Sequence, residues 1–205
     1  MTTSVINLSS LNGSNGFRLD GEGFAGYSVS GAGDINGDGY DDVIIGAPSG
    51  KGLYGSTKVV FGKASSFDAS LDLSNLDGSN GFSVGGSSGR SVSDAGDFNG
   101  DGFADLIIGS VSADVNGEDS GASYVVFGKA TGFNASLDLF NLSSNDGFSL
   151  AGLAASNALG QSVSSAGDIN SDGFDDLIIG APYAEGGAFN SGVAYVIFGH
   201  SSAGG

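Results

Sequence analysis

The chain has 205 residues, a formal net charge of −17 and no cysteine. A disulfide framework, a thiolate metal site and thiol catalysis are therefore excluded. The acidity disfavours a nucleic-acid partner, because phosphates would be repelled and the few basic residues form no cluster. No apolar run approaches the length of a membrane span, and 39 glycines with 40% hydrophobic residues fit a turn-rich β protein.

The chain opens with a segment, residues 4–19, whose pattern returns at residues 70–84 and 136–150. Each copy ends in Gly-Phe followed by alternating polar and apolar residues, which predicts a β-strand. We expect the two later copies to form the fourth strand of a repeat. The first copy precedes any complete repeat, so it is a fourth strand without its own sheet.

Next in each repeat comes the tripeptide Ser-Val-Ser, whose alternation predicts a first strand. The copies are residues 28–30, 91–93 and 162–164. Two short β-branched runs follow farther along, and they predict the second and third strands, with the second strand buried on both faces. The second strands are Asp42–Gly46, Asp105–Gly109 and Asp176–Gly180, and the third strands end at Phe61, Phe127 and Phe198.

Between the first and second strands lies a nine-residue acidic loop, which begins at Asp34, Asp97 and Asp168. Oxygen-bearing side chains stand at positions 1, 3, 5 and 9, and glycine at position 6 permits a sharp turn. Calcium takes six to eight oxygen ligands, so the spacing predicts one calcium ion per loop and three per chain. The side-chain ligands would be Asp34, Asn36, Asp38, Asp42, Asp97, Asn99, Asp101, Asp105, Asp168, Asn170, Asp172 and Asp176.

Rival calcium motifs and simple turn chemistry fit these loops less well. An EF-hand requires glutamate at position 12, but the twelfth residues are Ile45, Ile108 and Ile179. Asp, Asn and Gly are also common turn formers, yet a turn does not require carboxylates at the same three positions in every copy. The absence of imidazole and thiolate ligands disfavours zinc and copper. Position 8 holds Asp41, Ala104 or Asp175, and we interpret these acids as solvated surface charges.

The loops start 63 and then 71 residues apart, so three units fill the chain. Four strands per unit predict an all-β fold made of propeller blades. We divide the chain into an N-terminal strand that completes a blade (1–20) and three blades (21–86, 87–152 and 153–205). Phe17, Phe82 and Phe148 recur in phase and are expected to anchor neighbouring blades. Tyr27, Arg90 and Gln161 share one position, which would either line the inner channel or face solvent.

These units resemble FG-GAP repeats, the blades of the integrin α-subunit β-propeller. Phe-Gly ends the third strand of each unit, at 61–62, 127–128 and 198–199, and Gly-Ala-Pro follows the second strand at 46–48 and 180–182. The second unit departs, with Gly-Ser-Val at 109–111. The resemblance implies that a main-chain carbonyl at position 7 completes each calcium site, which adds Tyr40, Phe103 and Phe174 to the ligands.

Three blades do not close a ring, since propellers have about four to eight. We expect a homodimer in which the N-terminal strand of each copy completes the third blade of the other, giving six blades. The alternative is that the chain is part of a longer propeller.

The resemblance implies a binding or adhesion module. Calcium sites of this kind suit the millimolar calcium outside the cytosol, so we expect the protein to be extracellular or on the cell surface. A protein ligand would contact the loops at residues 49–56, 111–121 and 183–192, on the face away from the calcium sites. No catalytic residue is predicted, because the clustered carboxylates are assigned to calcium and His200, the sole histidine, lies in a Gly/Ser-rich tail. A calcium-dependent hydrolase or lyase and a purely structural repeat assembly remain alternatives.

Overall fold

The computed structural model describes residues 6–48, 55–187 and 191–201, which contain fourteen β-strands, three single-turn 3-10 helices and no α-helix. No helix in these ranges has the length and apolar character to cross a bilayer. The strands are β1 (Arg18–Asp20), β2 (Ser28–Gly33), β3 (Asp42–Ala47), β4 (Ser56–Val60), β5 (Ser70–Asp72), β6 (Gly81–Gly85), β7 (Ser91–Gly96), β8 (Asp105–Ser110), β9 (Ala122–Val126), β10 (Ser136–Asp138), β11 (Gly147–Ala151), β12 (Ser162–Gly167), β13 (Asp176–Ala181) and β14 (Val193–Ile197).

Three antiparallel sheets repeat one topology. The first sheet runs β2-β3-β4-β6 and the second runs β7-β8-β9-β11, while the third has only β12-β13-β14 within the described residues. The register repeats as well, because Ser28, Ser91 and Ser162 pair with Gly46, Gly109 and Gly180. The predicted all-β class and the first three strands of each repeat are confirmed. The described residues form an open row of sheets and no closed ring.

The predicted fourth strand is in fact two strands. In residues 70–84, β5 is followed by a 3-10 helix (Leu73–Asn75), and only β6 joins the first sheet. β5 instead pairs in parallel with β1, with Leu19 opposite Leu71, and β10 pairs in the same way with β6. The sequence pattern missed this because the parallel partners are distant in the chain. The start of the first segment, residues 4–5, lies outside the described residues, and Leu8–Ser10 is a 3-10 helix.

Apolar side chains from facing sheets form the core. One cluster lies between the first and second sheets and includes the fully buried Ile44 and Val59. A second cluster between the second and third sheets includes Ile107 and Val125. The second sheet is therefore buried on both faces, as predicted. The prediction is wrong for the third sheet, because Ile178 of β13 is 39% exposed.

The recurring phenylalanines hold the sheets to the connecting segments. Phe82 has no exposed surface, and its ring stacks on Phe133 with centroids 4.3 Å apart. Phe17 stacks on Phe67 in the same manner, at 4.1 Å. These pairs join the start of β6 and of β1 to the segment that leads into the parallel partner strand, β10 or β5. Phe148 of β11 instead contacts Phe98 and Phe127 in tilted pairs.

Replacing Phe82 with alanine should lower the free energy of unfolding by about 3–5 kcal/mol, because it leaves a cavity in the core. Chemical denaturation of the purified protein measures the loss. Phe140, which is 60% exposed, provides the control, and Phe140→Ala should change stability by less than about 0.5 kcal/mol. Equal effects of the two substitutions would contradict the assignment of Phe82 to the core.

Candidate metal centres

Each acidic loop connects the first and second strands of a sheet, so all three loops lie at the same end of their sheets. In the first loop, the N–H of Asp38 donates to Oδ1 of Asp34 at 3.0 Å and to Oδ1 of Asn36 at 2.9 Å. The N–H of Tyr40 donates to Oδ1 of Asp38 at 2.9 Å. Two acceptors share one N–H, so the side-chain oxygens of positions 1 and 3 lie close together on the inside of the loop.

The second and third loops repeat this pattern. The N–H of Asp101 donates to Asp97 at 3.0 Å and to Asn99 at 2.9 Å, and the N–H of Asp172 donates to Asp168 at 3.1 Å and to Asn170 at 2.9 Å. The third loop keeps this geometry although Ser171 replaces the glycine of position 4, and Ser171 adopts the left-handed conformation with φ of 61°. The structure thus brings positions 1, 3 and 5 together in every copy.

The position 9 aspartate makes contacts that the sequence did not reveal. Asp42 is 1% exposed, and its two oxygens accept hydrogen bonds from the N–H of Ile35 at 3.1 Å and of Gly62 at 2.7 Å. Gly62 belongs to the Phe-Gly pair after the third strand, so this carboxylate joins the loop to the end of the third strand. The equivalent bonds to the Phe-Gly glycine are Gly128 to Asp105 and Gly199 to Asp176, both 2.9 Å.

The pKa of Asp42 is raised to about 6, mainly by burial and also by the charges of Asp38 and Asp34, while the hydrogen bonds from Gly62 and Ile35 oppose the increase. The second loop behaves alike. Burial raises the pKa of Asp105 to about 7, with contributions from Asp101 and Asp97. The carboxylates of one loop therefore repel each other, and a bound cation would relieve that repulsion.

The side chains that each loop brings together carry carboxylate and amide oxygens, which suit calcium and not a metal that prefers nitrogen or sulfur. Within the described ranges, no three acidic, histidine or cysteine side chains form a group that could hold a metal as it stands. The loop oxygens instead accept main-chain N–H groups. A carboxylate has about four lone-pair positions, so these bonds leave capacity for an ion.

The first and second loops also contact the loop of the next sheet. The ring of Phe103 lies against Gly37, and the ring of Phe174 lies against Gly100, where a side-chain carbon would overlap the ring. The N–H of Ala104 donates to the carbonyl of Asp34 at 3.3 Å. Positions 7 and 8 of one loop thus pack on positions 1 and 4 of the preceding loop, so the loops form a continuous row.

Two sequence interpretations need correction here. Asp175 is not a solvated charge, because it is half-buried and its Oδ2 accepts the N–H of Asp97 at 2.9 Å. His200 is not a loose tail residue, since its N–H donates to the carbonyl of Phe98 at 3.1 Å and its ring packs edge-on against Phe98 at 5.9 Å. Lys129 makes the same main-chain bond, to Ile35 at 2.9 Å. By contrast, Asp41 is exposed, as predicted.

The comparisons with known proteins agree with this architecture. The FG-GAP repeat family model matches residues 25–61, 89–126 and 159–197, which together make up more than half of the chain. Each match contains one acidic loop and ends at or just before the Phe-Gly pair. The fold and the loops define a repeat protein of the β-propeller class. The chain belongs to the FG-GAP repeat family.

Curated relatives fall into two groups. The chain is 32% identical to bovine (Bos taurus) phosphatidylinositol-glycan-specific phospholipase D over 86% of its own length, and 30% identical to Xenopus laevis integrin alpha-5 over 87%. It is also 33% identical to chicken (Gallus gallus) integrin alpha-V over 83% of its length. The chain spans only 21%, 15% and 16% of these relatives, respectively.

Without bound metal, the protein should lose stability as the pH rises from 5 to 7. The folded protein holds protons on Asp42 and Asp105 up to pH of about 6 and 7, whereas an unfolded aspartate releases its proton near pH 4. The folded state therefore binds more protons in this window, so the free energy of unfolding falls as the pH increases and then levels off. Denaturation in chelator at several pH values measures the slope.

The variant Asp105→Asn, which has no proton to release at this position, is the control and should show a shallower slope between pH 5 and 7. Stability that increases with pH across this window would contradict the raised pKa values.

Proposed function

We propose that this chain is a calcium-stabilised β-propeller module that binds a protein ligand. Three loops with the same inward-facing oxygens, each based on a buried aspartate, carry this proposal. In the first loop the ligands are the side chains of Asp34, Asn36, Asp38 and Asp42 with the carbonyl of Tyr40. The second and third loops supply the corresponding residues, namely Asp97, Asn99, Asp101, Phe103 and Asp105, and Asp168, Asn170, Asp172, Phe174 and Asp176.

Calcium in these loops would act as a structural ion. Each loop carries three carboxylates whose repulsion opposes folding, and binding to the folded state alone increases stability by mass action. At free calcium one hundred times the dissociation constant, each site would contribute about 2.7 kcal/mol. Because the first and second loops also pack against the loop that follows them, an ion there would stabilise the contact between sheets as well as one sheet.

The surface that we assign to the protein ligand lies at the ends of the strands opposite the calcium loops. Phe24 and Tyr27, just before the first strand of the first sheet, are 74% and 53% exposed. The guanidinium of Arg90 lies 4.9 Å from the centroid of the Tyr27 ring. Together with Pro48 and Val111, these residues line a cavity of about 340 Å³ between the first two sheets.

Aromatic residues and arginine are enriched in protein interfaces, so this cavity fits a protein ligand. The loop at 111–121 borders the cavity. Parts of the remaining two loops that we expected to contact a ligand, residues 49–54 and 188–190, lie outside the described residues.

We further propose that the module binds and does not catalyse. The phospholipase D relatives are enzymes by name, but the shared region is about a fifth of the bovine protein. In the first and second loops, burial and the neighbouring carboxylates of the same loop raise the pKa values of Asp42 and Asp105. We assign these carboxylates to calcium and not to acid or base catalysis.

The remaining parts of the proposal are the setting and the assembly. Structural calcium sites of this kind suit the millimolar calcium found outside cells, so we place the module outside the cell or on its surface.

We treat residues 21–86, 87–152 and 153–205 as three blades, with residues 1–20 as an N-terminal strand that completes a blade. A second copy would supply three more blades and close a six-bladed ring.

Calcium titration by calorimetry tests the metal sites and should show three equivalents per chain. Replacing the position 5 aspartate of one loop, as in Asp101→Asn, should remove one equivalent or weaken one site at least tenfold. Asp119→Asn is the control, since Asp119 is exposed, lies outside the loops and has a φ of 51° that asparagine accommodates. No calcium uptake by the unmodified protein would overturn the proposal.

A further inference from the structure

The outer face of the third sheet is exposed where its counterparts are buried. Ile178 and Val196 are 39% and 43% exposed, whereas the residues at the same places in the first two sheets are fully buried. Phe198 is 53% exposed and Phe61, its counterpart, only 6%. The buried counterparts of Ile178 and Val196 are Ile44, Val59, Ile107 and Val125.

The opposite face is partly exposed at the other end of the row, where Ile45 and Val60 are buried in a small apolar cluster but Val29 is not. Val29 of β2 is 67% exposed, while Val92, at the same place in the second sheet, is 5% exposed because the first sheet covers it. Val29 lines an open groove of about 450 Å³ together with Phe17, Leu19 and Val43. The two free faces are thus the two halves of the contact that the chain already makes twice internally.

The strand edges at the two ends match in the same way. In the first and second sheets, the third strand pairs with a fourth strand that places Phe82 opposite Val59 and Phe148 opposite Val125. β14 has no such neighbour among the described residues, and β1 is paired on one edge only, by β5. In the same register, β1 would place Phe17 opposite Val196.

We propose that a second copy of this chain completes the third acidic loop and the third sheet in trans. β1 of one copy pairs with β14 of the other, and Tyr40 and Asp41 of the first copy pack on the loop that begins at Asp168 in the second. This inference rests on the proposed propeller module and specifies its partner, the register and the contacting residues.

The internal contacts define what Asp41 does. Gly33 and Gly96 are crowded by the position 8 residue of the following sheet, which is Ala104 or Asp175. Gly167, the equivalent glycine of the third sheet, has open space around its Cα within the chain. Asp41 of a second copy fills that space, and its carboxylate accepts the N–H of Asp168 as Asp175 accepts that of Asp97 at 2.9 Å.

We call each contact between neighbouring sheets and their loops a seam. The pair of residues at positions 7 and 4 differs at the seam between copies. Within the chain, a phenylalanine at position 7 lies on a glycine at position 4. Between copies the same pair is Tyr40 and Ser171, so the Tyr40 ring lies farther from position 4 than a phenylalanine ring lies from glycine within the chain. The seam between copies is therefore the one of the three in which both members of this pair are polar.

Two copies are the number that the fold favours. The free faces differ from each other, so each copy contributes one face to each of two identical seams. Two copies give six blades, within the usual range of about four to eight, whereas three copies would give nine.

Pairs of introduced cysteines test the register, because the natural chain has no cysteine that could form a competing disulfide. Lys58 pairs with Ser83 and Tyr124 with Ser149, so Tyr195 of one copy should lie opposite Arg18 of the other. A mixture of the single variants Tyr195→Cys and Arg18→Cys should form a disulfide-linked dimer under oxidising conditions. Non-reducing gel electrophoresis detects it.

The control mixes Arg18→Cys with Ala194→Cys, whose side chain points to the other face of the sheet, and should yield at least tenfold less dimer. Equal cross-linking by both mixtures, or none by either, would overturn the inference.

Asp41→Ala tests the loop contact independently. Alanine already occupies this position in the second sheet as Ala104, so the variant should fold. Loss of one charge-assisted hydrogen bond at each of two seams should raise the dissociation constant of the dimer about a hundredfold, measured by light scattering on dilution. Asp68→Ala, which removes an exposed charge elsewhere, should leave it unchanged, and an unchanged constant for Asp41→Ala would contradict the contact.

Calcium titration on the same samples separates this inference from the proposed function. A protein that takes up three equivalents of calcium but stays monomeric and uncross-linked would overturn the seam and leave the calcium sites standing. A cross-linked dimer that takes up no calcium would overturn the calcium sites and leave the seam standing.

Discussion

The buried aspartate at position 9 of each loop is the constraint on which the rest of the structure depends. An ionised carboxylate in an apolar interior is costly unless hydrogen bonds satisfy it. Asp42 meets that requirement through the N–H groups of Ile35 and Gly62, so the loop and the end of the third strand are held at one point. The glycine of the Phe-Gly pair is needed because a side chain there would collide with the carbonyl of position 8. The two recurring motifs of the repeat are thus two sides of one interaction.

The loops also set how successive sheets lie against each other. Main-chain bonds such as those from Asp175 to Asp97 and from Lys129 to Ile35 join each loop to the preceding one, and the apolar faces behind them form the core. Each sheet therefore depends mainly on its immediate neighbours, as in other repeat proteins. Metal bound in one loop would stabilise the neighbouring seam, which couples the sites along the row.

The sequence predicted the parts of this structure that are local. The acidic loops, the strands beside them and the repeat period follow from residue type and spacing. Contacts between distant segments were not predictable in the same way. The pairing of β5 with β1 depends on a strand some fifty residues earlier, so it was missed. Asp41 and Asp175 occupy the same place in the repeat, yet only Asp175 meets a preceding loop in its own chain. His200 showed no pattern by residue type, and only its alignment with Lys63 and Lys129 could have revealed its place.

The unlike faces at the two ends of the row have a consequence for assembly in solution. A contact between unlike faces closes only if the rotation from one blade to the next divides a full circle evenly. A substitution that alters this angle slightly would leave every local bond intact but prevent closure. In the proposed assembly, copies would then add end to end into an open helical filament instead of closing a ring.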